Sequence, residues 1–298
     1  MKLGYIGYGE AAYAMSCGIA ELNRPDLVQA ACSRTFSYKG KPEDAGVIRC
    51  QSYEELADFC DIILTMTPNT AAVPTAQAIA PYLKPGQLYA DLTSAAPKLM
   101  EEAAAIIEPS GALFADAAML DSLPKYKNRV RIVVSGHGAD PFMELTRSLF
   151  PRLEKVGEHP GEASAVKMLR SLYTKAHLAI AFDMLEGAAA YGVEEYIMKS
   201  LAETMDSKDF ITGMNERLCG GIIHAARRAD ELEMAGSMLA DAGLDASLTQ
   251  AAAERLRQIG RLDLKHKITE RPVTWQGALE WIRRAEAEKT DQSETMLK

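Results

Sequence analysis

The residues best placed to do chemistry begin at the first turn of the chain. Gly7-Tyr8-Gly9-Glu10-Ala11-Ala12 matches the G-x-G-x-x-G/A pattern of a dinucleotide-binding turn. In that pattern Gly7 permits the tight turn, Gly9 lets backbone approach a pyrophosphate, and Ala12 lets helix and strand pack closely. The helix that follows presents unbonded N–H groups and its positive dipole end to phosphate. A strand-like run, Lys2–Ile6, precedes the turn and an alanine-rich helical stretch follows it, the context the pattern requires. At the end of the second strand-like run the chain reads Cys32-Ser33-Arg34-Thr35. No acid stands there to hold a ribose 2′-hydroxyl. Arg34 suits a 2′-phosphate, with Ser33 and Thr35 as hydroxyl donors, so NADP is favoured and NAD is the second choice. The plainer alternative for Arg34 is a solvated loop arginine.

Three further stretches carry reactive side chains. Thr67-Pro68-Asn69-Thr70 follows the third main strand-like run and either borders the adenosine ribose or caps the next helix through Asn69. Thr93-Ser94, in Asp91-Leu92-Thr93-Ser94-Ala95-Ala96-Pro97, lies at the C-terminal end of a strand-like run, where open α/β sheets bind ligands. The same pair could instead serve as the N-cap of a helix starting at Pro97. Lys167 lies on a long amphipathic stretch among Gly161, Ser164, Arg170 and Ser171; alone, a helical lysine is a solvated charge.

The order of these motifs resembles the β-hydroxyacid dehydrogenase family, which includes 6-phosphogluconate dehydrogenase and the 3-hydroxyisobutyrate dehydrogenases. Four signatures carry the likeness: the glycine turn, Asp91 to Pro97, Asp116-Ala117-Ala118, and Lys167. His224-Ala225-Ala226-Arg227-Arg228 further resembles the branch with a divergent phosphogluconate-dehydrogenase-like C-terminal domain. The resemblance implies that Thr93 and Ser94 lie beside the nicotinamide. It makes Lys167 the general acid/base that takes a proton from the substrate hydroxyl as hydride leaves the adjacent carbon, a step a lysine performs well when burial lowers its pKa. Departures are informative. Arg170-Ser171 replaces an Asn-Asn pair, and Arg170 could fork onto a substrate carboxylate or pair with an acid. Leu120-Asp121-Ser122 replaces Ser-Gly-Gly, which sets the Asp121 carboxylate where a substrate carboxylate would approach. Either Asp121 points away or the substrate carries an amine or several hydroxyls. Thr174 stands where decarboxylating members place a glutamate, which implies dehydrogenation without loss of CO2.

His224, Arg227, Arg228 and Glu231 fall at i, i+3, i+4 and i+7, one face of a helix. Helped by the resemblance, that face reads as completing the substrate pocket, from this subunit or a neighbouring one. Its alternative is a salt-bridged surface with a satisfied histidine. The expected activity is hydride transfer between a small β-hydroxy acid and NADP. The rivals are an imine or keto reductase on the same scaffold, which Asp121 would suit but Lys167 argues against, and a non-catalytic NADP-binding sensor.

These residues need a scaffold, and the pattern supplies one. Strand-like runs at Lys2–Ile6, Leu27–Cys32, Asp61–Met66, Gln87–Asp91, Ala112–Ala118, Arg129–Ser135 and Leu153–Val156 alternate with helical stretches. That alternation specifies a doubly wound α/β Rossmann domain over 1–161. The short loop before Arg129–Ser135 suggests an antiparallel edge strand. Beyond Pro160-Gly161 no period-2 segment remains, and 162–298 reads as an all-helical substrate and dimerisation domain. It opens with a long helix that Gly192 stops, followed by stretches near Glu194–Met205, Phe210–Ala242, Ser247–Ile259 and Trp275–Glu288.

Composition narrows the function classes. The 298 residues allow about two domains at roughly 150 residues each. A formal charge of −8 without a basic stretch argues against nucleic acid. Five irregularly spaced cysteines, with no Cys-x-x-Cys, argue for reduced thiols and against a disulfide framework or metal site. No apolar run is long enough for a membrane span, and the N-terminus lacks the layout of a removable leader, so a cytoplasmic protein is expected; the apolar helical half, together with the family resemblance, implies a homodimer.

Overall fold

The computed structural model describes residues 1–36 and 40–296, with side chains as far as residue 289. The chain forms two compact units, Met1–Tyr173 and Thr174–Lys298. In the first, strands and helices follow in the order β1 (Lys2–Tyr8), α1 (Glu10–Ala20), β2 (Val28–Phe36), β3 (Val47–Arg49), α2 (Tyr53–Phe59), β4 (Ile62–Thr65), α3 (Ala72–Ile79), β5 (Leu88–Asp91), α4 (Pro97–Ile107) and β6 (Leu113–Met119). Then come α5 (Leu123–Tyr126), β7 (Ile132–Ser135), α6 (Ala139–Thr146), β8 (Leu153–Lys155) and α7 (Glu162–Tyr191).

The eight strands form one sheet in the order β3-β2-β1-β4-β5-β6-β7-β8. The first six are mutually parallel, so every connection must cross a face of the sheet. Apolar layers accordingly fill both faces. Tyr5, Tyr8, Met15, Phe142 and Phe150 pack on one side, and Ile6, Ile63, Tyr89, Met100 and Phe114 on the other. Burial on both faces explains why the central strands read as continuous apolar runs rather than alternating ones.

Two features of the sheet differ from the sequence pattern. The β3 strand was not expected; its three residues are too few to display a period, and it forms only by pairing with β2. The β7 strand is antiparallel to β6, with Asp116 opposite Ser135, as the short loop suggested. It is not the edge, because α6 carries the chain across so that β8 pairs parallel to β7 outside it.

The expected boundary at 161/162 also moves. The first unit extends to Tyr173 because the opening turn of α7 is hydrogen-bonded to the sheet through Asp116 and Ser135.

The second unit contains the rest of α7 and α8 (Glu194–Met205), α9 (Phe210–Ile223), α10 (Ala225–Asp241), α11 (Ser247–Gly260), α12 (Leu264–Lys267) and α13 (Trp275–Met296). Gly192, with φ +68°, ends α7. Cys219, Ile222, Leu262, Leu264, Ala278 and Ala285 form the core of this unit. The stretch expected as one helix over Phe210–Ala242 is two helices. His224 separates them at φ −110° and ψ 20°, outside helical geometry. Gly220-Gly221 weakens the end of α9, and Arg228 lies across it, donating to the Arg217 carbonyl at 3.2 Å. Arg227, Arg228 and Glu231 lie together on α10, and His224 is the residue before its first turn.

Among the described residues, no helix is long and apolar enough to cross a membrane, and no group of three or more His, Cys, Asp or Glu is placed to hold a metal ion.

Gly161 starts α7 at φ +97°, and a Cβ there would stand 2.9 Å from the Pro97 carbonyl oxygen. We expect Gly161→Ala to lower the unfolding free energy in urea titration by about 2 kcal/mol, from backbone strain and overlap together. A variant as stable as the parent would show that this approach does not constrain the fold.

Candidate functional site

The crevice between β1 and β4, where the strand order reverses, receives the phosphate turn. Gly7 has φ +80°, and a Cβ on it would lie 2.8 Å from the Met66 carbonyl oxygen and 2.9 Å from the Thr67 side chain. Only glycine fits there. Gly9 is the opposite case: a Cβ would meet nothing within 4 Å, so its outer side is open to an incoming group. Gly9 is also the N-cap of α1, with Glu10 and Ala11 half-buried behind it and Ala12 fully buried against the strand.

Tyr8 lies in the turn between Gly7 and Gly9. Its side chain is buried in the core, where the hydroxyl shares a 2.5 Å hydrogen bond with Ser16, and burial pushes its pKa up to about 12. Its backbone N–H donates to Ser33 Oγ at 3.1 Å, and that hydroxyl donates in turn to the Thr35 carbonyl at 2.6 Å. Strand β2 continues to Phe36, so Ser33, Arg34 and Thr35 lie within the strand rather than in a loop. The register between β1 and β2 shifts between Ile6 and Tyr8, beside this segment. Arg34 and Thr35 are exposed.

Across the crevice, Thr67 is half-buried and Pro68 and Asn69 are exposed. Asn69 does not cap α3, whose N-cap is Ala71 with no side-chain bond. The oxygens of Thr67 and Thr93 are buried and lack a hydrogen-bond partner among the described residues. An open glycine N-cap and two orphaned hydroxyls along one sheet edge fit a dinucleotide that brings its own donors and acceptors.

The Thr93-Ser94 segment is not a helix cap either, because Ala96 is the N-cap of α4. Ser94 instead takes a left-handed conformation, φ +64°, which is uncommon for a non-glycine residue and is found at functional sites. The turn aims Ser94 Oγ at Lys167 Nζ, and the two are hydrogen-bonded. Lys167 is half-buried on α7. A lysine and a hydroxyl some seventy residues apart in sequence thus meet at the C-terminal edge of the sheet.

Two aspartates beneath this contact were quoted in the motifs but given no role. Asp91 and Asp116 are register partners across β5 and β6, and both are fully buried. Asp116 accepts from the N–H groups of Gly161 at 2.9 Å and Ser164 at 3.0 Å, and from the hydroxyls of Ser164 at 2.7 Å and Ser135 at 3.4 Å. Three of these donors converge on one oxygen and the Ser164 hydroxyl meets the other, a donor set that suits a carboxylate. Burial raises the Asp116 pKa, and these bonds, led by those from Ser164, lower it in opposition. Asp91 accepts the Thr93 N–H at 2.8 Å through one oxygen, while its other oxygen lacks a partner among the described residues. Burial pushes the Asp91 pKa up to about 6, and the neighbouring Asp116 charge adds to the rise. The signal available in the sequence was an acid at the end of an apolar strand, since buried aspartates are rare unless paired.

On the neighbouring turn, Asp121 is held by Arg152 at 3.1 Å and Arg131 at 3.6 Å and accepts the Arg131 N–H at 3.3 Å. Its charge is balanced by the protein's own arginines. Ser122 is exposed, Ser171 is half-buried, and exposed Arg170 donates to the Leu120 carbonyl at 3.3 Å. In the second unit, His224 is exposed and Arg227 pairs with Glu231 at 2.7 Å.

Comparison with known proteins agrees with this geometry. Residues 2–157 match the NAD binding domain of 6-phosphogluconate dehydrogenase, and 188–259 match a domain of unknown function, DUF1932. An L-threonate dehydrogenase from Cupriavidus necator is 24% identical over 65% of this chain and 66% of its own length. A conserved protein of unknown function, described as structurally similar to 3-hydroxyacid dehydrogenases, is 26% identical, with a TM-score of 0.60 over 89% of this chain and 99% of its own. The imine reductase of Myxococcus stipitatus, solved with NADP+, shares the fold at 15% identity, with a TM-score of 0.70 over 88% and 94% of the two chains.

The Asp91 environment makes stability depend on pH. An acid whose pKa rises from 3.8 to about 6 on folding favours the fold below the lower value, and that contribution is lost as pH rises through 6. Asp91→Asn keeps the acceptor for Thr93 without the charge. We expect it to be more stable than the parent at pH 7.5 by up to about 3 kcal/mol, with the difference closing towards pH 4. Urea unfolding at both pH values measures this, and a pH-independent difference would refute it.

Proposed function

The chain belongs to the β-hydroxyacid dehydrogenase family of NAD(P)-dependent oxidoreductases, and from that premise we propose that it is an NADP-preferring, non-decarboxylating dehydrogenase of a small β-hydroxy acid. The observation that carries this reading is the hydrogen bond between Lys167 and the strained Ser94 at the C-terminal edge of the sheet.

When bound, the nicotinamide cofactor supplies the hydride acceptor or donor. Gly7, Gly9 and the backbone from Glu10 to Ala12 would hold its pyrophosphate. Arg34, with Ser33 and Thr35, would meet a 2′-phosphate. Thr67, Pro68 and Asn69 would border the adenosine ribose, and Thr93 would lie beside the nicotinamide. Lys167 takes the proton from the substrate hydroxyl on oxidation and returns it on reduction, with Ser94 Oγ fixing the direction of Nζ. Arg170, Ser171 and Ser122 are assigned to the substrate carboxylate. Thr174, where decarboxylating relatives place an acid, supports retention of CO2. Asp121 would favour a cationic imine if its charge were available, but Arg131 and Arg152 hold it.

A second copy of the chain is the partner we assign to the apolar side chains that α7, α8 and α9 leave exposed. Leu178, Phe182, Tyr196, Phe210 and Ile211 are each more than half exposed, an unusual load of large apolar groups for a monomer. Sedimentation equilibrium should give twice the 32.5 kDa chain mass, and a monomer at micromolar concentration would remove the assignment.

Initial rates with a panel of small hydroxy and polyhydroxy acids, using NADP and NAD in parallel, test the activity. We expect NADP to be preferred, and Lys167→Ala to lower kcat by about 10²–10⁴-fold without comparable loss of NADPH binding. Release of CO2 in step with NADPH formation would refute the non-decarboxylating reading, and undiminished turnover by Lys167→Ala would refute the lysine's role.

A further inference from the structure

Lys167 stands one turn beyond the start of α7, and most of the hydrogen bonds that meet that start come from one side chain. The first N–H groups of a helix have no intrahelical partners. In α7 those of Gly161 and Ser164 go to Asp116, and that of Ala163 goes to Ser135 Oγ at 3.0 Å, which itself donates to Asp116. Ser164 adds its hydroxyl to the same carboxylate. The Asp116 carboxyl group also stands at the positive end of the helix, where negative charge is favoured. Lys167 follows Ser164 by three residues, which puts the two on one face of the helix, a turn apart. On the adjacent strand Asp91 holds the Thr93 N–H, the residue before Ser94. Both halves of the Lys167–Ser94 contact are thus tied to neighbouring buried carboxylates on one row of the sheet.

We infer that Asp116 is a positioning residue for proton transfer: by binding the first turn of α7 together with Ser164, it sets the place and direction of Lys167 Nζ against Ser94. This rests on the reading of Lys167 as the acid/base. Asn at position 116 would turn an amide N–H₂ towards donors that now meet a carboxylate oxygen, which loosens the helix start while keeping the volume. Ser164→Ala removes a single hydrogen bond and leaves the backbone contacts in place.

The test compares the full-length protein with Asp116→Asn, Ser164→Ala and Lys167→Ala. Four quantities are measured: the Kd for NADPH by fluorescence, kcat and KM with the best hydroxy acid, and the rate at which acetic anhydride labels Lys167 relative to Lys199. The Lys199 side chain is 77% exposed and serves as the internal reference. Asp116→Asn should lower kcat by about 30- to 100-fold, leave the NADPH Kd within about threefold, and label Lys167 at least about three times faster relative to Lys199. Ser164→Ala should move kcat and labelling in the same directions by smaller factors, and it decides the matter alone if Asp116→Asn does not fold. A kcat and a Lys167 labelling ratio unchanged in the folded variants would overturn the inference, as would a loss explained entirely by weaker NADPH binding. If Lys167→Ala keeps full activity, the reading of Lys167 as the acid/base fails instead, and the labelling ratio still reports whether Asp116 fixes the lysine.

Discussion

A carboxylate placed inside a sheet has to be met by donors, and in this protein three of the four donors to Asp116 come from Gly161 and Ser164, at the start of a helix some 45 residues later in the chain. The long helix could otherwise start in several places, because its alanine-rich first turns have little shape of their own. Binding the opening N–H groups to one buried acid fixes both the starting point and the rotation of the helix about its axis. Rotation matters most, since each residue along a helix turns by about 100°, and an error of one residue would point Lys167 away from Ser94.

The same edge of the sheet obeys a second constraint at its other end. Gly7 brings backbone so close to Met66 and Thr67 that no side chain can stand between the two strands flanking the crevice. Close packing on the inside and an open Gly9 on the outside give the turn one rigid wall and one free one. Rigid walls with a few orphaned polar atoms suit a ligand that completes the hydrogen bonding, whereas a fully satisfied edge would have nothing to offer.

Much of this was legible in the sequence. The alternating runs revealed the Rossmann unit, and the glycine pattern located its crevice, because both are set by local periodicity and backbone sterics. The motif containing Thr93-Ser94 and the helix bearing Lys167 were also visible, although their meeting is a tertiary contact and entered only through family resemblance. What escaped were features decided by distant partners. The three residues of β3 become a strand only beside β2. The break at His224 depends on Arg228 folding back over a glycine pair. Asp121 looked like a substrate contact until Arg131 and Arg152, ten and thirty-one residues further on, closed around it. Asp91 and Asp116 were read as parts of motifs, and their pairing required the strand register.

The hydrogen bond from the Tyr8 N–H to Ser33 Oγ ties the turn for the pyrophosphate to the strand end expected to discriminate between the two nicotinamide dinucleotides. Exchanging Ser33 for an acid, the obvious route towards the unphosphorylated cofactor, would keep an acceptor for the Tyr8 N–H but lose the hydroxyl that donates to the Thr35 carbonyl. Natural drift or laboratory selection for altered cofactor choice therefore has an easier path through Arg34 and Thr35, whose side chains face solvent. Ser33 would be expected to lag behind in any such lineage, held back by its hydrogen bonds to the backbone of Tyr8 and Thr35.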